Sequence, residues 1–180
     1  ENEFYEFHRH AINYQSSIRA LVARNYCHSR NYPDLPGAST SAPPYKSVDG
    51  ARGDDCIVFY KTGDSMAIIN IAETVNAGFN NITASVGYRN NKFFGNIALS
   101  TITGMQWTPS TPFDGQWPTD SVAENNVVLN SSTRAFLLLT PVNVTLRNLS
   151  SFGGQNGLQV RKDSSHPQPS NPSMKGENML

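Results

Sequence analysis

Two short segments of this sequence carry side chains that could bind a partner. Arg52-Gly53-Asp54 is the tripeptide that integrins recognise in many adhesive proteins, where the carboxylate reaches a receptor-bound metal ion and the guanidinium reaches an acidic pocket. Trp107, Phe113 and Trp117 lie on a polar, proline-rich segment, and exposed aromatic rings stack on sugars and anchor protein interfaces. Because a desolvated tryptophan contributes more than an exposed charged turn, we expect the tryptophan segment to make the main contact. The structural alternatives are a plain turn for the tripeptide and a loop pinned to the core by its tryptophans.

The two cysteines, Cys27 and Cys56, flank a proline- and glycine-rich segment that has little else to hold it. In an oxidising compartment they would close a loop of about 30 residues, which stabilises a fold by roughly 3–4 kcal/mol in the chain-entropy model. We therefore expect a disulfide if the protein is extracellular, with two unpaired thiols as the alternative. Two cysteines are too few and too far apart for a zinc site, and no metal is predicted.

Familiar catalytic patterns are not present in the sequence. It lacks a Gly-x-Ser-x-Gly elbow, a His-Glu-x-x-His zinc motif, a Walker loop and a dinucleotide fingerprint, and no cofactor is predicted. Glu73, Asp114, Asp120 and Glu124 could supply a pair of carboxylates for glycan hydrolysis, but the sequence singles out no two of them. The sequence thus favours a protein that is not an enzyme and leaves a secreted glycan-active hydrolase as an alternative.

The overall composition narrows the class of protein. The 180 residues suit one domain, and a formal net charge of zero without lysine or arginine clusters argues against nucleic-acid binding and membrane-surface binding. No apolar run approaches the roughly 18 residues that a membrane-spanning helix requires. Many asparagine, serine and threonine residues with few lysines are common in extracellular and virion proteins, so we expect an extracellular, cell-surface or virion location.

Residues 3–25 have the pattern of an amphipathic helix. Apolar positions recur at alternating spacings of three and four residues, which places them on one stripe. The stripe consists of Phe4, Phe7, Ala11, Tyr14, Ile18, Leu21 and Asn25. Acidic residues at the start and arginines at the end suit the helix dipole. We expect this stripe to pack on a sheet, or alternatively on a neighbouring subunit.

The remaining patterns predict antiparallel strands. Residues 82–88 and 93–100 each alternate in hydrophobicity, and the polar segment between them predicts a hairpin turn. Residues 64–78 fit a helix or a strand, with a strand favoured as far as Ala72, and residues 142–149 predict an amphipathic strand.

These elements together predict a mainly β domain over residues 1–160, an antiparallel sandwich or barrel with an N-terminal helix at 3–25. An α+β roll is the alternative fold. Residues 161–180 have no periodicity and predict an extended or disordered C-terminal tail.

One segment resembles part of a known family. Asn31-Tyr32-Pro33 follows the predicted helix and is similar in kind to the turn after the long N-terminal helix of type IV pilins. The resemblance implies a filament subunit in which an antiparallel sheet follows that helix. The apolar start of a pilin helix is missing, and the cysteines are not in the C-terminal region, so the match is not specific enough to assign the family.

The function expected from the sequence is therefore structural or recognitive. We expect a non-enzymatic extracellular or virion-surface subunit that assembles with other subunits, or binds a cell-surface receptor or a glycan, through its loops. A pilin-like filament subunit and a secreted glycan-active hydrolase are the alternatives.

Overall fold

Short strands separated by tight turns wind this chain into a coil that repeats six times. The computed structural model describes residues 1–5, 7, 10–28, 55–83, 89–109, 119–162 and 173–180. The eighteen strands in this part of the chain form three parallel six-stranded sheets. Each coil contributes one strand to each sheet, so strands three apart in the sequence are hydrogen-bonded neighbours. This architecture is a parallel β-solenoid.

The three sheets differ in strand length, and the longest strands lie in sheet B. Sheet A contains β1 (Glu3–Tyr5), β4 (Tyr26–His28), β7 (Ile71–Glu73), β10 (Ile97–Leu99), β13 (Val127–Ser131) and β16 (Ser150–Gly154). Sheet B contains β2 (His10–Gln15), β5 (Asp55–Tyr60), β8 (Ala77–Thr83), β11 (Thr103–Pro109), β14 (Arg134–Leu139) and β17 (Leu158–Arg161). Sheet C contains β3 (Leu21–Ala23), β6 (Met66–Ile68), β9 (Lys92–Phe94), β12 (Val122–Glu124), β15 (Val144–Arg147) and β18 (Met174–Glu177).

The core consists of columns of apolar side chains that run along the solenoid. In sheet B, Ile12 pairs with Ile57, Ile57 with Phe79, Phe79 with Met105, and Met105 with Phe136. The last four of these side chains are buried, and Ile12 packs against them in the first coil. Parallel pairing in a constant register stacks equivalent positions about 4.8 Å apart, so each inward position extends into a continuous apolar column.

A column of asparagines holds the two-residue turn between sheet C and sheet A. Asn25, Asn70, Asn96 and Asn126 are buried at the second position of this turn in successive coils. Each Nδ2 donates to the Oδ1 of the next asparagine at 3.0 Å, from Asn25 through to Asn126. The same Oδ1 atoms accept the main-chain N–H of the preceding asparagine, at 2.9 Å for the Asn25 N–H and 3.0 Å for that of Asn70. This asparagine column satisfies buried polar groups of the turn from one coil to the next.

The first position of the same turn has a left-handed backbone. Positive φ angles occur there in every coil, at Arg24, Ile69, Gly95, Asn125, Asn148 and Asn178. In the last three coils this residue is asparagine, which tolerates the left-handed region. Asn178 donates to Asn148 and Asn148 donates to Asn125, each at 3.0 Å, so an exposed amide ladder takes over where the buried one ends.

The predicted N-terminal helix is wrong. Residues 3–25 contain the strands β1, β2 and β3, and the described part of the chain forms no helix. Ile18 and Leu21 of the predicted stripe are 59% and 61% exposed, although Phe4 and Tyr14 pack against the core. Turns that follow strands of three to six residues place inward side chains at irregular spacings, which imitate a helical period in the sequence.

The predicted antiparallel sheet is wrong as well. Of the expected hairpin, residues 82–83 end β8, residues 84–88 lie outside the described residues, and residues 93–100 contain parts of β9 and β10. These strands belong to sheets B, C and A and pair in parallel with the coils on either side. Phe93 faces inward, but the turn at Gly95 and Asn96 reverses the alternation, so Ala98 is buried while Ile97 and Leu99 are only partly buried. The solenoid therefore replaces the expected sandwich or barrel and also the α+β roll.

Other predicted segments are found as strands. Residues 64–78, compatible with helix or strand, contain β6 and β7 with the Asn70 turn between them. The amphipathic strand expected in residues 142–149 is β15, in which Val144 and Leu146 are buried. Within the expected tail, residues 174–177 form β18, which pairs with β15.

The predicted disulfide is confirmed. Cys27 in sheet A is bonded to Cys56 in sheet B of the same coil, with a Cα–Cα distance of 5.5 Å. Both side chains are buried, and Ala72 lies in register with Cys27 in the next coil. The bridge therefore lies inside the solenoid and joins the two ends of the connection formed by residues 29–54.

Substitution of one column asparagine tests whether the ladder stabilises the fold. Asn96→Ala should lower the free energy of unfolding by roughly 3 kcal/mol or more, because it leaves buried donors on Asn70 without their acceptor and removes a donor to the Ala67 carbonyl. Urea unfolding followed by circular dichroism measures this. Asn13→Ala, on an exposed residue of β2, is the matched control and should change stability by only about 0.5 kcal/mol. Equal effects of the two substitutions would contradict a stabilising ladder.

Removal of the disulfide should cost stability without disturbing the packing around it. The Cys27→Ala/Cys56→Ala variant, which opens a loop with a sequence separation of 29, should lose roughly 3–4 kcal/mol in urea unfolding. The stability of this variant should be unaffected by reductant, whereas that of the unmodified protein should fall. The intact mass of the unmodified protein after alkylation without reductant should show no added label. Two labelled thiols would argue against the bond.

Candidate recognition face

The lengths of the connections single out one side of the solenoid. The turn from sheet C to sheet A has two residues at each of its five occurrences. The connections that enter or leave sheet B vary instead: residues 29–54 precede β5, 84–91 follow β8, 110–121 follow β11 and 162–173 follow β17. Insertions in solenoids cluster on one face, which is often the binding face. The outer side of sheet B is therefore the candidate site, and it is called the recognition face below.

The recognition face is built from the outward side chains of the sheet B strands. Because successive residues of a strand alternate in direction, the register gives columns of outward residues beside the inward apolar ones. One column contains Asn13, Val58, Asn80, Gln106, Leu137 and Gln159. A second contains Gln15, Tyr60, Ile82 and Thr108, and Leu139 pairs with Arg161 at its C-terminal end. Asn13 is exposed and Gln106 and Gln159 are partly buried, whereas Val58, Asn80 and Leu137 are buried, so accessible amides are interspersed with covered side chains along this face.

Asp55 is a buried carboxylate at one edge of the recognition face. It is 4% exposed, and its Oδ1 accepts hydrogen bonds from the Asn76 side chain and the Ala77 main chain, both at 3.2 Å. Its Oδ2 accepts from Nδ2 of Asn80 at 3.1 Å and lies 3.7 Å from Nδ1 of His10. These contacts join the first three coils, so this carboxylate acts as a tie between strands.

Two arginines stand at the opposite end of the face. Arg134 begins β14, and its Nη1 donates to Oε1 of Gln159 at 3.2 Å. Its Nε is buried and has no hydrogen-bond partner. Burial, and then repulsion by Arg161, lower the pKa of the Arg134 guanidinium. Within the described part of the chain no carboxylate forms an ion pair with Arg134 or Arg161, so among the described residues this end of the face carries two positive charges without an acidic partner.

The residues predicted to bind a partner have different positions. Trp107 lies in β11 with 1% of its surface exposed, and its ring meets that of Phe93 edge-on at a centroid distance of 5.6 Å. Its indole therefore belongs to the core. Phe113, Trp117 and the Arg52-Gly53-Asp54 tripeptide lie outside the described residues, and binding through them stays a prediction. Both segments are nevertheless continuous in sequence with sheet B strands, since the tripeptide directly precedes β5 and the aromatic pair follows β11.

The described carboxylates considered for hydrolysis lie on different elements of the solenoid. Glu73 lies in sheet A, where it accepts a hydrogen bond from the Tyr26 hydroxyl, an interaction that raises the pKa of Tyr26 to about 12 with smaller contributions from burial. Glu124 lies in sheet C, within 4.0 Å of Nη1 of Arg147. Asp120 lies in a connection between sheets B and C, and Asp114 lies outside the described residues. Glu73 and Glu124 are thus on different sheets and do not form a catalytic pair.

The fold and the face define a parallel β-solenoid with an internal disulfide and one side that carries insertions. No protein-family model matches this chain, and no curated protein or solved structure is significantly similar to it. In the described ranges no helix is long and apolar enough to cross a membrane, and no group of three or more histidine, cysteine, aspartate or glutamate side chains could hold a metal ion. The recognition face is therefore the feature of this chain that bears on its function.

The sequence interpretation missed Arg134, Gln159 and Arg161. Gln159 meets Arg134 only because the two lie on adjacent strands of sheet B, and that adjacency depends on the length of a coil. A signal for the coil was present, since Asn-Ile-Ala occurs at residues 70–72 and again at 96–98. Aligning those two segments gives the spacing between neighbouring coils and hence the register of the sheets.

Tryptophan fluorescence tests the placement of Trp107. In a Trp117→Phe variant Trp107 is the remaining indole, and because it is 1% exposed its emission should be blue-shifted and poorly quenched by acrylamide. Unfolding in urea should restore quenching. The reciprocal Trp107→Phe variant reports on Trp117 alone. Ready quenching of Trp107 in the folded protein would contradict its position in the core.

Proposed function

We propose that this protein is a non-enzymatic extracellular or virion-surface subunit that recognises a partner through the recognition face and its flanking connections. The contrast in connection length carries this proposal: the turn beside the asparagine column is constant, whereas the connections around sheet B vary. A solenoid tolerates insertions where no stacked column depends on the length of the turn. That side is therefore the one whose surface can diversify for binding without loss of the fold.

The compartment is supported by the disulfide and the surface composition. Structural disulfides persist in oxidising environments and are rare in the cytosol, and Cys27–Cys56 is buried within the first two coils of the fold. The low proportion of charged residues, 16%, is consistent with an exposed extracellular or virion location. The partner is then a cell-surface receptor, a glycan or a further subunit of an assembly.

A binding role has more support than hydrolysis. Glycosidases place two carboxylates on opposite sides of one bond, roughly 5–10 Å apart. The described strands of sheet B present one carboxylate, Asp55, and it is already held by Asn76, Ala77 and Asn80. The pilin-like alternative depended on a long N-terminal helix, and residues 3–25 contain the strands β1, β2 and β3 instead.

Substitutions in the two flanking connections test this proposal. Phe113→Ala/Trp117→Ala, in the connection after β11, and Arg52→Ala/Asp54→Ala, before β5, should reduce binding of the labelled protein to intact cells or to a glycan array. Loss of an anchoring aromatic side chain costs about 2 kcal/mol or more, which is a decrease in affinity of roughly thirtyfold. The melting temperature should be nearly unchanged.

Phe152→Ala provides a matched control, because this residue is an aromatic with 59% exposure on sheet A, away from the recognition face. Binding by the control should equal that of the unmodified protein. If the control loses binding while both connection variants retain it, recognition occurs on another side of the solenoid and the proposal fails.

A further inference from the structure

We propose that Arg134, Gln159 and Arg161 form a binding site for the carboxylate of an acidic saccharide. This inference rests on the proposed function and extends it, because it names a class of ligand and the side chains that select it. The site lies on the C-terminal end of the recognition face, where β14 and β17 are adjacent strands.

The guanidinium of Arg134 is preorganised for binding an anion. The hydrogen bond from Nη1 of Arg134 to Oε1 of Gln159, at 3.2 Å, fixes the orientation of the planar group, while other N–H donors stay available. A guanidinium held in this way can bind both oxygens of a carboxylate with parallel hydrogen bonds. Gln159 keeps its own amide N–H groups as further donors, so the pair presents several donors to one anion.

The two arginines of the site have no acidic partner among the described residues. Arg147, another partly buried arginine, is paired with two acidic residues. Its Nε lies 3.0 Å from Glu177, and its Nη1 lies 4.0 Å from Glu124. The partly buried Arg134 has Arg161 as its charged neighbour instead, and its buried Nε lacks a hydrogen-bond partner. Two like charges without a counter-ion repel each other, and an anion placed between them stabilises both.

The surroundings of Arg134 disfavour its charged form. Burial and the charge of Arg161 lower the pKa of the Arg134 guanidinium, although arginine stays protonated in proteins. A bound carboxylate would oppose both effects, because it offsets the repulsion and replaces lost solvation with hydrogen bonds.

Neutral polar side chains beside the site favour a saccharide as the ligand. Gln106 lies two coils from Gln159 in the same outward column, and Thr108 lies in the neighbouring column, both only partly buried. Amide and hydroxyl side chains form hydrogen bonds with the neutral hydroxyl groups that surround each carboxylate in an acidic sugar. A polyphosphate ligand would need an extended basic surface, and the chain has a formal net charge of zero.

Binding of a hexuronate tetrasaccharide, measured by isothermal titration calorimetry on the whole protein, tests the site. The affinity should be about tenfold or more higher than for the carboxyl-reduced, neutral form of the same tetrasaccharide, because charge-assisted hydrogen bonds are roughly twice as strong as neutral ones. Arg134→Gln and Arg161→Gln should each reduce the affinity for the acidic form by about tenfold, and raising the salt concentration should weaken it.

Arg24→Gln is the matched control, since Arg24 is exposed at the turn between sheets C and A. The affinity of this variant for the acidic tetrasaccharide should equal that of the unmodified protein. If Arg134→Gln alters the melting curve, the test relies on Arg161→Gln, because Arg161 is exposed. A sulfated tetrasaccharide of the same length distinguishes a carboxylate site from a general anion site.

The inference is overturned if the acidic saccharide does not bind, binds no better than its reduced form, or binds equally well to the variants. Equal or tighter binding of the sulfated form would overturn the assignment to a carboxylate. Any of these results leaves the proposed function standing if the Phe113/Trp117 or Arg52/Asp54 variants lose cell binding. Retention of cell binding by those variants would count against the proposed function, whatever the saccharide data show.

Discussion

The amide-to-amide hydrogen bond between stacked asparagines is the interaction on which this solenoid depends. A side-chain amide both donates and accepts, so Asn70 and Asn96 each accept a hydrogen bond from the asparagine of the coil before and donate one to the asparagine of the coil after. Oδ1 of Asn96 also accepts the Asn70 main-chain N–H at 3.0 Å. A slip of one residue between coils would break these bonds and turn the apolar columns outward, so the asparagine column fixes the register of the first four coils.

A second buried polar network stands at the corner between sheets B and C. Asn81 occupies an inward position between Phe59 and Trp107, where an apolar side chain would be expected. Its Oδ1 accepts from Nδ2 of Asn91 at 2.8 Å, and its Nδ2 donates to Oγ of Ser121 at 3.1 Å. The network anchors the residues that end the variable connections after β8 and β11. Insertions there can thus differ in length while the strands that follow keep their register.

This division of roles explains how a rigid fold can present a variable surface. Inward side chains and the turn between sheets C and A are constrained by stacking, and single substitutions there leave buried polar groups or cavities. In the described strands of sheet B the outward side chains form no such ladder, although Val58, Asn80 and Leu137 are buried among them. Arg134 and Arg161 carry positive charges that no described carboxylate neutralises, and together with Gln159 they make this end of the face the chemically distinctive part of the molecule.

The sequence by itself determined the high strand content, the amphipathic strand that became β15 and the pairing of Cys27 with Cys56. It could not show the direction or the partner of each strand. Strands of three residues are too short for alternation to distinguish them from a helix, and residues 29–54 interrupt the coil repeat. Parallel pairing, the asparagine column and the meeting of Arg134 with Gln159 arise between residues one coil apart, so only the tertiary structure decided them.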